Sequence, residues 1–168
     1  MDARKHFLTL ARYNSWATQR LFDVVNTVPE APYRADAGLF FKSIHGTLNH
    51  LLVAEHQLWF RRFAEDLSPT VALNAEVEAD RARLAAALQD GALRWEGLIA
   101  TWPDTVWDGA LNYTNMRGQP QNLPFAATLA HVFNHATHHR GQITVALTAL
   151  GHASPELDMV YLLQGQAT

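Results

Sequence analysis

Apolar residues recur at helical spacing through most of this chain. Over 2–27 the inward series is Phe7, Leu10, Ala11, Asn14, Leu21, Val24 and Val25, the rhythm of an amphipathic helix. Within it Tyr13 and Asn14 read as packed and hydrogen-bonded inside, and Trp16 as core. PEAPYRADAG, with two prolines and a glycine, then breaks the pattern. A second helix is predicted from about Phe41 to Asp66, with Ile44, Leu48, Leu51, Leu52, Leu58, Trp59 and Phe63 on a wide apolar arc. LSPTVALN is a connector. A third helix fits 75–101, capped by Asn74 and turning Val77, Leu84, Leu88, Trp95 and Leu98 inward.

TWPDTVWDGALNYTNMRGQPQNLP has three prolines, two glycines and no helical period. Trp107, Leu111 and Tyr113 ahead of MRGQ suggest a short hairpin or an ordered lid. Pro124 suits the first turn of a fourth helix running to about Leu150, with Gly151 as its terminating glycine. In SPELDMVYLLQG, Ser154 as cap and Pro155 in the first turn predict a short fifth helix. The expected fold is all-α: a four-helix bundle with a short fifth C-terminal helix and a long loop or small hairpin between helices 3 and 4. Residues 1–168 are expected to form one domain.

Composition narrows the function. With 168 residues, 48% hydrophobic and 17% charged, the chain can bury a sizeable core. Its net charge is −3 and its 13 basic residues form no dense cluster, which argues against a nucleic-acid surface. No cysteine is present, so disulfides, thiolate ligands and a cysteine nucleophile are excluded. The N-terminal stretch lacks the apolar core and cleavage site of a signal peptide, and no run is long enough to span a membrane. The expected location is cytoplasmic.

Histidine is the one unusual feature. HVFNHATHHRGQ holds four of the nine histidines within residues 131–139. On a helical wheel with His131 at zero, Phe125, Val132, Ile143, Leu147 and Leu150 fall between about 100° and 160° and fix the buried face. His139 lies near 80° and His135 near 40°, while His131 and His138 fall further from the core and read as surface or supporting groups. HxxxH spacing lets one helix offer two imidazoles to one metal ion. A further ligand must come from elsewhere. His45, His50 and His56 of the second helix are candidates, and the wheel of that helix does not choose among them.

YNSWATQRL, SIHGTLNHLLVAEHQLW, HVFNHATHHRGQI and GHASPELDMVYL together resemble the DinB/YfiT-like family of metal-binding proteins, a match covering most of the chain. The resemblance implies a four-helix bundle, frequently a homodimer, holding a divalent metal through three histidines. One ligand falls at the histidine of NHLL, here His50; the others fall at the first and last of HATHH, here His135 and His139. Only the resemblance picks His50. Some relatives have Asp where Glu55 stands, and no ligand role is assigned to it. Gln142 is placed to orient a histidine ring, and Arg140 to form a structural ion pair. The wide apolar arc of the second helix agrees with a homodimer.

Three neutral imidazoles would leave a divalent ion with at least one open position, suiting Zn²⁺, Ni²⁺ or Fe²⁺. Such a site can activate water, polarise a carbonyl or hold a thiolate. HExxH, Glu-x-x-His and G-x-S-x-G are all absent, which removes zincin, ferritin-like di-iron and serine-hydrolase readings. Two functions follow. One is a metal-dependent enzyme, a thiol S-transferase or hydrolase, acting on a small molecule; relatives include transferases using low-molecular-weight thiols. The other is a non-catalytic, stress-induced metal-binding bundle. No general base is assigned, although His138 and Glu55 are in reach of the motif.

Overall fold

The structure, a computed structural model, describes residues 2–165. Helix α1 (Ala3–Val25) starts where the Asp2 carboxylate accepts the Lys5 amide at 3.0 Å, satisfying one of the free N–H groups of its first turn. Phe7, Ala11, Asn14, Leu21 and Val25 are buried along one face, as the pattern predicts. Trp16 departs from expectation. It is only half-buried, and the Arg20 guanidinium one turn later lies 5.1 Å over its ring.

The break that follows contains a short helix, α2 (Glu30–Arg34), which exists to bury Tyr33 completely. A tight turn then pairs Leu39 with Lys42, and Lys42 takes φ of +70°. Ser43 caps the next helix by accepting the Gly46 amide at 2.9 Å.

The second long rod is not one α-helix. Helix α3 (Ile44–Leu51) passes into a π-helical segment over Leu52–Trp59, and α4 (Phe60–Ala64) ends it. In a π turn each amide bonds to the carbonyl five residues back, so every turn absorbs an extra residue. Positions after Leu52 are therefore out of phase with those before it. A single wheel for 41–66 therefore misplaces His56 relative to His45 and His50, which both precede the shift.

Helix α5 (Arg81–Thr101) begins later than its pattern predicts. Asp80, not Asn74, caps it, accepting the Arg83 amide at 2.8 Å. Residues 77 and 78 stay out of helical geometry because the buried Asn49 side chain claims their backbone. Its oxygen accepts the amides of Val77 and Glu78, each at 2.9 Å, and its nitrogen donates to the Glu78 carbonyl at 3.0 Å. Val77 is accordingly exposed, whereas Leu84, Leu88 and Trp95 are buried and Leu98 half-buried.

The hairpin expected before the last long helix is present. Strands β1 (Ala110–Thr114) and β2 (Pro120–Pro124) pair antiparallel, Ala110 opposite Pro124, around a turn where Gly118 adopts φ of +75°. Helix α6 (Phe125–Ala149) leaves β2 directly, so Pro124 precedes its first turn instead of entering it. Gly151, at φ of +83°, follows its end, and Leu150 is exposed there, not core. Residues 151–158 are not helical, so α7 (Met159–Gly165) starts after Ser154 and Pro155.

The described residues are thus mostly helical with one small two-stranded sheet. Helix α1 packs on α5 and α6, and the α3–π rod closes against the same two helices. One core cluster is aliphatic, centred on Leu21, Ile44, Leu48, Leu84 and Leu147. The other is aromatic, with Phe60, Phe63, Trp95, Phe125 and Phe133 meeting largely edge to face. No described helix is long and apolar enough to cross a membrane.

Candidate metal centre

His135 and His139 stand one turn apart on α6, so their rings project from the same face. The last turn of α3 brings His50 opposite them. His50 Nε2 lies 3.2 Å from His135 Nε2, which lies 3.1 Å from His139 Nε2. His50 and His139 are buried and His135 half-buried.

The outer nitrogens decide what the inner ones can do. His50 Nδ1 faces the Leu73 carbonyl at 2.8 Å, which only accepts, so Nδ1 carries the proton. His139 Nδ1 likewise donates to the Gln142 amide oxygen at 2.8 Å, as expected of Gln142. Both rings are left with a bare Nε2 lone pair aimed into the cluster. Phe41 stacks on the His50 ring at 3.8 Å and 16°, fixing its plane.

Protons do not neutralise the cluster at pH 7. Burial, reinforced by the neighbouring imidazoles, pushes His135 down to about 3. Burial pushes His139 down to about 4, against the Gln142 bond that favours its cation. His50 is lowered by burial too, with the Leu73 carbonyl opposing. The bare Nε2 atoms of His50 and His139 both face His135 Nε2, which bridges them through a proton or joins them around a cation. With metal–nitrogen bonds of about 2.0–2.1 Å, nitrogens about 3.1–3.2 Å apart subtend roughly 100° at an ion, between octahedral and tetrahedral values. All three ligand atoms lie within 4.8 Å of one another, so the set fits a divalent ion bound on one side.

The remaining histidines stand outside the converging set, with His131 on the lining of an adjoining cleft. His45 is buried between the Tyr33 hydroxyl, 3.0 Å from Nδ1, and Glu76, 3.0 Å from Nε2. His56 is buried beside Glu55, 3.7 Å away, and against Gly91. His131 and His138 are exposed, and His138 touches the Gln142 amide at 3.2 Å. Glu55 is buried and accepts from Asn14, whose oxygen in turn accepts from the buried Arg140 guanidinium. The ion pair expected of Arg140 is therefore bridged through Asn14, not direct.

His50 and His135 open onto a cleft of about 410 Å³. Its far wall is Trp59, Arg62 and Tyr113. Sequence reasoning missed Arg62, Phe41 and the Leu73 carbonyl. Arg62 was signalled as one of two adjacent cations, Arg61 and Arg62, set among the aromatics Trp59, Phe60 and Phe63; the carbonyl of Leu73 has no sequence signal.

The DinB family model matches residues 1–168. The chain belongs to the DinB family. Protein DinB of Bacillus subtilis (strain 168) is 28% identical over 153 residues, covering 89% of this chain and 88% of that protein. No solved structure matches the chain. In this DinB family member, the three histidines picked out by the resemblance are the ones the fold brings together.

Proposed function

We propose that this DinB family protein binds one divalent metal ion through His50, His135 and His139 and uses it on a small molecule in the adjoining cleft. The frame is read as a four-helix bundle in which the α3–π rod and α6 supply the ligands. The observation that carries the proposal is the convergence of two tautomer-locked Nε2 lone pairs on the Nε2 of a third imidazole beside a cleft. Zn²⁺, Ni²⁺ and Fe²⁺ all suit three nitrogen donors.

When bound, such an ion supplies positive charge that polarises a carbonyl and favours the deprotonated form of a thiol or water. The chain's own residues do the rest. Leu73 and Gln142 hold two rings in orientation, and Phe41 covers the His50 ring. Trp59 and Tyr113 wall the cleft with aromatic surface. The described residues lining the cleft include no carboxylate, and His131 is the imidazole there that lies outside the three-histidine cluster. Thiol S-transfer, where the co-substrate brings its own nucleophile, and hydrolysis are both compatible with that lining.

The test is metal content per chain by elemental analysis, for tag-free wild type beside His50→Ala. About one ion in the wild type and almost none in the variant is the expected result; equal content in both would remove His50 from the site. Cobalt-substituted protein whose visible spectrum ignores added azide and thiols would make this a metal-holding protein instead of an enzyme.

A further inference from the structure

Arg62 is 6% exposed and lines the cleft that His50 and His135 close. Its guanidinium carbon lies 4.6 Å from the Trp59 ring centre and 4.4 Å from that of Tyr113, in the corner those rings make by meeting 5.3 Å apart at 66°. Cation–π contact leaves the guanidinium N–H groups available for hydrogen bonds. No ion pair or hydrogen bond of this guanidinium occurs among the described residues, and Nε is fully buried without a partner. Most other arginines here have an acid or a carbonyl: Arg61 has Glu65, Arg81 has Glu30 and backbone carbonyls, and Arg83 has Glu78. A buried cation held rigidly with its donors unmatched is unfavourable in the free protein. Arg117, on the hairpin turn, adds a second positive charge to the same lining, and no acid offsets either. In a chain of net charge −3, this cleft is locally cationic.

We propose that the cleft binds a small molecule carrying a carboxylate, with the Arg62 fork as its anchor and the histidine cluster facing its other end. A carboxylate matches the fork with two parallel bonds, and the aromatic corner of Trp59 and Tyr113 holds the fork in place before the ligand arrives. The inference rests on the reading of the histidine cluster as the reacting end, and names the substrate class of that site.

Calorimetric titration of the zinc-loaded protein with phenylacetate and with phenylacetamide tests it, since the pair differs in charge and hardly in shape. The acid is expected to bind about tenfold tighter or better. Arg62→Gln should abolish that preference, and Arg62→Lys should keep only part of it. Preference should survive removal of the metal. No preference in the wild type, including binding of neither compound, overturns the proposal. So does a preference that persists in Arg62→Gln and vanishes on metal removal, because the carboxylate would then be a metal ligand. The wild-type comparison needs no variant, so a misfolded Arg62→Gln does not rescue the idea. A failure of the metal reading would show in elemental analysis, not in this charge preference.

Discussion

His135 is the hub of the cluster, its Nε2 within 3.2 Å of the Nε2 of both other rings, while His131 and His138 flank it, ring centres 5.6 Å from His135 and 5.0 Å from His139, outside the converging set. His135→Ala or His139→Ala should therefore reduce metal content to a small fraction. His131→Ala and His138→Ala should keep most of it, read by the same elemental analysis; equal loss across all four would refute the placement. The HxxxH pair was legible in the sequence because α6 runs 25 residues as regular α-helix, so angular position along it is reliable. His50 was not legible from periodicity. Its selection depends on a backbone carbonyl at Leu73 and on Phe41, contacts made by segments that carry no period at all. Asn14 and Tyr13 were read correctly as interior hydrogen-bonding residues: Asn14 links Glu55 to Arg140, and the Tyr13 hydroxyl donates to the Leu157 carbonyl at 2.8 Å.

Among the elements, the long helices were visible as apolar stripes, but two departures from them were not. The delayed start of α5 is one, where tertiary hydrogen bonds to Asn49 outcompete helix formation at 77–78. The π segment is the other, and it carries His56, which lies hard against α5. A Cβ added at Gly91 would sit 2.6 Å from the His56 ring. Gly91→Ala gains about 1 kcal/mol of helix propensity but overpacks a buried ring, at a typical penalty of about 1–3 kcal/mol. We expect Gly91→Ala to lower the midpoint of thermal unfolding. Gly97→Ala on the same helix meets open space and should leave it unchanged or raise it. If both glycines respond alike, the contact between His56 and α5 is not as described.

For the molecule as a whole, five histidines (His50, His56, His131, His135 and His139) are held below their ordinary value, burial being the largest cause for each. In the unfolded chain they take up protons near pH 6.5, whereas in the fold His139 resists to about 4 and His135 to about 3. The unfolded state therefore binds more protons across that interval, and stability present above about pH 6.5 is lost as pH falls towards those values. Metal-free protein should melt at a progressively lower temperature from pH 7 to pH 5. His135→Gln should flatten that slope, and a slope identical to wild type would show that His135 titrates normally.

The two halves of the cluster are 85 residues apart along the chain at His50 and His135. An ion bridging them would close that span into a loop, as a disulfide does in other proteins, and a closure of this size is worth on the order of 4 kcal/mol through the entropy removed from the unfolded chain. A polypeptide without a single cysteine would thus carry a reversible cross-link, one whose making and breaking answers to metal supply instead of redox state.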